Sequence, residues 1–297
     1  MPLVSIIVPN YNHAAFLEQR IGSILNQTVQ DFELILLDDC STDRSREIME
    51  AYRDNPHVSR IIYNEANSGS AFKQWKKGID LAQGEWVWIA ESDDWAEPTF
   101  LEELLVAANQ HPKCVLLTTP PCYHFPDGST WQHPLNIKDN NISGESFARQ
   151  YLLNGNTLPN VSALLLREEA LKQIDFTAIE TMRLCGDWLL YAQMCTLGEI
   201  VEVNKTLSYF RQHGDSTSAT AERQGRTLIE GVNILSYLIS TFRILPWCYA
   251  RAWGRTWSKL ESKHHFDRTT KKAIYHAMRH FPHIVLWHSL YRIKYLL

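Results

Sequence analysis

Several features that mark specialised protein classes are missing from this chain, and each absence excludes something. No two cysteines are spaced as CxxC: Cys40, Cys114, Cys122, Cys185, Cys195 and Cys248 are scattered. Such spacing supports neither a zinc site nor a disulfide framework, and reduced thiols in a cytoplasmic protein are the simpler reading. Apolar runs are short. The best candidate for a span, Ile234 to Phe242, is cut off by Arg243 and Pro246, well under the ~20 residues that a bilayer requires. Met1 leads straight into a strand-like segment with no basic n-region or cleavage site, so a secretory signal is not expected. There is no internal repeat and no low-complexity tract. A glycine-rich phosphate loop is also missing. Pro9-Asn10-Tyr11-Asn12-His13 follows the first strand without a glycine, which argues against a dehydrogenase or a sugar-phosphate nucleotidyltransferase.

What is present is apolar material for a sizeable core: 45% hydrophobic and 11% aromatic residues among 297, enough for one large domain with an appendage. Charge is divided unevenly. From Arg226 onward there are 12 Lys/Arg against 3 Asp/Glu, a formal +9, so the net −4 of the whole leaves about −13 for the first 225 residues. An acidic body with a basic, Trp- and Tyr-rich tail does not fit a nucleic-acid-binding protein. It fits a tail that meets something anionic, such as a membrane surface.

Short apolar runs alternate with amphipathic stretches through the first half. Val4–Val8, Glu33–Leu37, Arg60–Tyr63 and Trp86–Ala90 read as strands. Between them, helices are expected over Ala14–Asn26, from about Thr42 with Ser41 or Thr42 as cap, and over Ser70–Leu81. A further helix starts near Glu97-Pro98. This order predicts an α/β fold: a mostly parallel sheet flanked by helices, with ligands at the carboxyl ends of its strands. Later come Val115–Thr119 as a strand, a loop from Pro120 to about Asn141, a helix over Ser143–Leu153 and a strand over Val161–Leu166. A long connection of that kind is often a binding loop. From about Thr220 the pattern is helical.

Three clusters lie at expected strand ends: Pro9 to Asn12, Asp38-Asp39, and Glu91-Ser92-Asp93-Asp94. Three carboxylates within four residues repel one another unless a cation neutralises them, and oxygen-only ligation beside a diphosphate suits Mg²⁺ or Mn²⁺. The competing reading is an acidic cap on the following helix. A carboxylate at the end of the second strand can accept the N3–H of a pyrimidine while its neighbour holds a ribose hydroxyl; a turn with an N-cap is the plainer account.

The set closely resembles the nucleotide-binding half of family 2 glycosyltransferases, the inverting family with the GT-A fold. The resemblance rests on Val8-Pro9-Asn10-Tyr11-Asn12, Leu37-Asp38-Asp39-Cys40-Ser41-Thr42-Asp43, Asn67-Ser68-Gly69 and Glu91-Ser92-Asp93-Asp94, in that order and spacing. Cys185-Gly186-Asp187-Trp188 is similar to the family's catalytic-base motif. Tyr209 to Ser218 is similar to its closing Arg-x-His-x-x-Ser-x-Ser segment. The likeness covers about the first 220 residues. It implies a transferase domain over 1–220, with a nucleotide-binding half to about 119 and an acceptor half after it, and a basic helical extension over 221–297.

Carried over position by position, the resemblance implies that Pro9 and Tyr11 line the base pocket. Asp38, Asp39 and Asn67 would contact base and ribose. Asp93 would ligate Mn²⁺ or Mg²⁺ with Glu91 and Asp94 beside it. Arg211 and His213 would reach the diphosphate or metal, and Asp187 would be the catalytic base. The implied donor is a UDP- or dTDP-linked sugar, and the acceptor a glycan or lipid-linked saccharide in surface polysaccharide synthesis. The implied setting is cytoplasmic, peripheral on the inner face of the membrane. Two departures stand out: Glu91 replaces the usual Asp, and Trp75-Lys76 occupies the positions of a common Arg-Asn. They leave open a catalytically decayed sugar-nucleotide- or glycan-binding protein on the same frame.

Overall fold

The computed structural model describes residues 1–134, 137, 140–158, 160–212 and 224–296. The first four strands are β1 (Val4–Asn10), β2 (Phe32–Asp38), β3 (Val58–Tyr63) and β4 (Trp86–Ile89). The chain then adds β5 (Trp95–Ala96), β6 (Cys114–Thr118), β7 (Cys122–His124), β8 (Thr130–Gln132), β9 (Asn141–Ser143), β10 (Leu164–Arg167), β11 (Glu199–Glu202) and β12 (Ser208–Arg211). One sheet runs β3-β2-β1-β4-β10-β6-β11-β9 and a smaller one β5-β12-β7-β8.

In the large sheet β1, β2, β3 and β4 pair in parallel. Every residue of β1 and β2 is buried, as strands covered on both faces must be. Alternate residues of β1 serve two cores: Ile6 and Val8 pack with Leu17, Ile21 and Ile24 of the helix Ala14–Leu25. Ile7 packs on the other side with Phe72, Trp75 and Ile79 of the helix Ala71–Ile79. That second helix lies so close that a Cβ on Gly78 would meet the Ile7 side chain at 2.3 Å.

The expected parallel block is there, and β10 enters antiparallel to both β4 and β6. The segment read as a strand from Val161 starts as a 3-10 turn (Val161–Ala163), and the strand follows at Leu164. The helix expected from Thr42 begins at Ser45, because Asp43 accepts from the Ser45 N–H at 2.9 Å and spends that turn as a cap of its own. The loop expected over 120–141 carries a hairpin of β7 and β8. Its turn holds Gly128 at φ +82° and closes with Phe125 N–H donating to Ser129 O at 3.0 Å. Pro126-Asp127-Gly128 is a turn signal of known mechanism, which accounts for the hairpin.

Four helices follow: Arg226–Phe242, Pro246–His264, Arg268–Met278 and Pro282–Leu296. They pack on the sheet domain. Trp253 stacks on Trp188 with ring centroids 5.8 Å apart and donates its indole N–H to Leu153 O at 3.1 Å. The hydrophobic core is continuous from Leu189 and Leu190 to Leu235, Leu238 and Trp257. Among the described residues no helix is long and apolar enough to cross a membrane.

Candidate active site

At the ends of β1 and β2 the chain folds back on itself. Asn12 and Cys40 take left-handed backbone conformations, φ 56° and 64°. The two turns interlock, with Asn12 N–H donating to Ser41 Oγ at 2.9 Å and Thr42 N–H to Asn12 Oδ1 at 2.8 Å. Asp38 is fully buried and accepts from Arg46 Nε at 2.8 Å, Ser41 N–H at 3.1 Å and Asn10 Nδ2 at 3.3 Å. Asp39 anchors the loop after β3. Its Oδ1 accepts from Asn64 Nδ2 at 2.6 Å and from Ser68 N–H and Gln74 Nε2 at 2.9 Å, while Oδ2 accepts only from Ser68 Oγ at 2.8 Å. A carboxylate oxygen offers two lone-pair sites, so Oδ2 is the oxygen with capacity left for a ligand. Pro9 is buried in β1 and Tyr11 is half exposed at the rim. Asn67 is exposed and bridges Asp39 O and Gly69 N–H.

Beyond β4, the acidic cluster is held from three directions. Glu91 Oε1 accepts from the Trp75 indole at 2.6 Å, and its N–H donates to Ser162 Oγ at 3.0 Å. Asp94 is buried and accepts from Asn160 Nδ2 at 2.8 Å and Arg211 N–H at 3.0 Å. The 3-10 turn that displaced the start of β10 is what delivers Asn160 and Ser162. Arg211 also donates from Nε to Asp93 O at 2.9 Å and from Nη2 to Gln19 at 2.7 Å, with its guanidinium over the rings of Phe16 and Trp95. Burial and the charge of Asp93 push Glu91 up to about 8 and raise Asp94.

Arg20 lies beneath this cluster, fully buried, over the Trp88 ring at 5.0 Å and bonded through Nε to Glu91 O at 2.9 Å. Burial lowers it to about 10 against the pull of Asp94, Asp93 and Glu91. An arginine at that value keeps its charge at neutral pH and so offsets part of the carboxylate repulsion.

Asp187 lies in the first turn of the helix Gly186–Met194. A Cβ on Gly186 would meet the Phe72 ring at 2.7 Å, so glycine here lets the helix abut Ala71–Ile79. Asp187 accepts from Asn156 Nδ2 and from Trp188 N–H, both at 2.7 Å. Burial pushes it up to about 7. Phe72, which Gly186 abuts, packs edge-on against Trp75 with ring centroids 4.9 Å apart, and Trp75 is the donor to Glu91. Upstream, Glu230 of the first C-terminal helix accepts the N–H groups of Arg183, Leu184 and Cys185 at 3.0 to 3.1 Å.

The structure therefore gathers Glu91, Asp93, Asp94 and Arg211 beyond the end of β4, and it places Asp187 in the first turn of the helix Gly186–Met194, which abuts Phe72 beside Trp75, the donor to Glu91. It sets Asp38, Asp39, Asn67, Pro9 and Tyr11 around the ends of β1 and β2. His213 lies outside the described residues, as does the remainder of the closing motif, from Gly214 to Ser218. Arg20, Asn156, Asn160, Ser162 and Glu230 were not singled out from the sequence, since each acts from a distant segment and belongs to no short motif. Among the described residues no three Asp, Glu, His or Cys side chains converge as a ready metal cage. The oxygen-only donor set and the mutual repulsion of Glu91, Asp93 and Asp94 nevertheless fit a hard divalent cation that takes its remaining ligands from a diphosphate.

A model of the family described as Glycosyl transferase family 2 matches residues 5–175. Glycosyltransferase GlyG of Streptococcus pneumoniae is 28% identical over 227 residues, covering 73% of this chain and 73% of that protein. Chondroitin synthase of Pasteurella multocida is 28% identical over 219 residues, 73% of this chain but 21% of the synthase. Among solved structures, S. aureus TarS 1–349 in complex with UDP-GlcNAc superposes with a TM-score of 0.70 at 18% identity, over 94% of this chain and 80% of that one. The mannosyltransferase PcManGT from Pyrobaculum calidifontis, with GDP-Man and Mn²⁺, gives 0.56 at 13% identity, over 96% and 83%. These likenesses show the GT-A fold, and the family match spans more than half of the residues: the chain belongs to glycosyl transferase family 2.

Proposed function

We propose that the chain is a metal-dependent inverting glycosyltransferase that takes a sugar from a UDP- or dTDP-linked donor to a glycan or lipid-linked saccharide in surface polysaccharide synthesis. The observation that carries this reading is Asp187. It is a carboxylate that burial pushes up to about 7, in the first turn of a helix that abuts Phe72, whose neighbour Trp75 donates to Glu91. A general base works best with a pKa near the working pH. In a single displacement, Asp187 takes the proton of the acceptor hydroxyl as its oxygen attacks the anomeric carbon, and the configuration inverts.

The donor would lie along the ends of β1, β2 and β4, its base against Tyr11 and Asp39 Oδ2 and its diphosphate near Asp93. Asp93 would hold Mn²⁺ or Mg²⁺, with Glu91 and Asp94 beside it and His213 as a proposed further ligand. A cation bound there neutralises the charge gathering on the leaving nucleoside diphosphate. Binding of UDP-GlcNAc and UDP by TarS structures and of GDP-Man with Mn²⁺ by PcManGT supports a nucleotide-sugar donor. For the acceptor, the hairpin presents Trp131, half exposed, and Phe125 around Tyr123, with Phe210 at 5.1 Å from Tyr123. A sugar ring stacks on such faces, and β12 links that sheet to Arg211 beside the acidic cluster. The proposed units are a transferase domain over 1–220 and a helical extension over 221–297. The proposed setting is cytoplasmic, peripheral on the membrane through that extension.

Titration calorimetry with UDP, dTDP and GDP, each with Mn²⁺ and with EDTA, tests the donor site. Tight binding of one nucleotide only with metal is the expected result. Turnover assays of the wild type and Asp187→Asn separate an enzyme from a decayed binding frame: equal activity of both overturns the assignment of the base.

A further inference from the structure

The last three helices enclose an open cleft of about 740 Å³. Its floor is apolar and buried: Trp257 and Phe266 are 5% exposed, and Val285 packs beside them. His288 stacks flat on Trp257 with centroids 3.9 Å apart, and its ring bonds to Ser258 Oγ at 3.0 Å and Glu261 Oε2 at 3.3 Å. The rim is cationic. Arg268, Lys271, Lys272, Arg279 and Arg292 line it, and Glu261 is the one carboxylate among the lining residues. Glu261 is already taken by Lys271 at 3.2 Å and by His288. Among the described residues Arg268, Lys272, Arg279 and Arg292 form no ion pair.

Four unmatched cations around one opening repel one another and focus a positive field into it, which an anion relieves. The volume lies within the ~300–1,000 Å³ typical of small-molecule sites, far more than a phosphate ion fills. The aromatic and aliphatic floor offers nothing to a bare ion. The two observations together require a ligand with an anionic head and an apolar stem. A third settles the setting. Leu286, Leu290 and Ile293 of the last helix, spaced four and three apart, are 57%, 46% and 57% exposed, and Tyr275 of the preceding helix is 57% exposed. An uncovered apolar stripe beside a basic rim suits a helix lying in a membrane interface.

We propose that this cleft is a binding site for the phosphate headgroup of an anionic lipid, seated between Arg268, Lys272, Arg279 and Arg292 with its stem over Trp257 and Phe266. The site lies within the C-terminal helices and is separate from the acidic cluster at the end of β4. The proposal rests on the peripheral membrane placement given above and specifies where, and by what chemistry, the contact is made. It is independent of catalysis, since vesicle binding needs no donor.

The test is co-sedimentation of the full chain with vesicles of phosphatidylcholine alone and of phosphatidylcholine with about one third phosphatidylglycerol. Binding to the anionic vesicles only is expected, with Lys272→Glu/Arg292→Glu weakening it about tenfold or more, since each basic side chain near such a surface contributes ~1 kcal/mol. Arg255→Glu/Lys259→Glu, on exposed positions of the same helix as Trp257 that do not line the cleft, is expected to stay within about threefold of wild type. A thermal melt of each variant confirms folding. Equal loss in both double variants overturns the cleft and leaves general charge attraction. Equal binding to neutral vesicles overturns phosphate recognition. Calorimetric binding of soluble glycerol phosphate that Lys272→Glu/Arg292→Glu abolishes, without vesicle binding, assigns the cleft to a free phosphate and overturns the lipid.

Discussion

Burial does most to set the chemistry of Asp187, because its two protein donors, Asn156 and the Trp188 N–H, pull its proton affinity down and still leave it near 7. The pH dependence follows. Below about pH 7 the side chain holds its proton and cannot accept another, so kcat/KM is expected to rise about tenfold per pH unit and level off above that value. Asp187→Asn is expected to lose about 10²–10⁴-fold in kcat, to flatten this acidic limb and to leave nucleotide affinity unchanged; a pH series of steady-state kinetics with calorimetry checks all three. The same shift bears on stability. The folded chain binds this proton more tightly than the unfolded chain, whose reference value is 3.8, so the contribution to stability is lost as pH rises from about 4 to about 7. Asp187→Asn, which carries no charge to bury, is therefore expected to melt higher than the wild type at pH 8 and to approach it at low pH. Gly186-Asp187-Trp188 stands out in the sequence because it resembles a recognisable motif. Asn156, which orients Asp187, does not, since nothing in Asn156-Thr157-Leu158 announces a partner 31 residues away.

At the scale of elements, the active site depends on loops whose backbone groups are satisfied from remote segments. Glu230 is the clearest case: it closes off the N–H groups of Arg183, Leu184 and Cys185, and so fixes the entry to the helix that presents Asp187. Removing it leaves three partly buried donors unmatched, each costing about 1–3 kcal/mol unless water reaches it. Glu230→Ala is expected to destabilise the fold by about 3 kcal/mol on that scale and to lower kcat with donor affinity little changed. Glu230→Gln, which keeps one oxygen acceptor, is expected to recover part of both; urea denaturation alongside kinetics reads out the pair. Asp39 performs the same service for the loop after β3, where Asn64, Ser68 and Gln74 all converge on it. Asp39→Ala is accordingly expected to lower the melting temperature and to lose most nucleotide binding together, measured by calorimetry, whereas a pure ligand contact would cost binding alone. The strands and helices that carry these loops were readable from continuous apolar runs and from a 3.6-residue period. The 3-10 turn under Glu91 and Asp94 was not, because Val161 to Leu166 is apolar throughout and periodicity cannot distinguish a turn from a strand over so short a run.

For the whole molecule, the question is whether the basic C-terminal helices are an appendage or part of the fold. Composition divides the chain near residue 225, where the formal charge changes from about −13 to +9, and such a change reads as a boundary. Packing does not follow it. Trp253 stacks on Trp188, next in sequence to Asp187, and its indole bonds to Leu153. Glu230 crosses the same line, and Leu228, Ile234, Leu235 and Leu238 are buried against the body of the domain. Charge patterning reports which surface faces which partner, whereas the core is set by apolar residues whose pairing a composition count does not see. A chain ending at residue 225 would expose Trp188, Leu152 and Leu153, and each large buried apolar side chain contributes about 1.5–3 kcal/mol when covered. Losing all three, about 4.5–9 kcal/mol, is comparable to the ~5–15 kcal/mol that holds a typical domain. The truncated chain is therefore expected to be insoluble or to melt without cooperativity, and to lose nucleotide binding with its fold. A chain ending at residue 266 retains Glu230, Trp253 and Trp257 and gives up the rim of the basic cleft with the last two helices. Because it uncovers Trp257, on which His288 stacks, and Tyr249, which meets Phe281, it is expected to melt lower than the full chain, and to lose attachment to anionic vesicles while binding nucleotide below its own melting temperature. Cooperative melting and donor binding by the 225-residue chain would show instead that the domain ends where the charge changes, with the helices docked onto a core already complete.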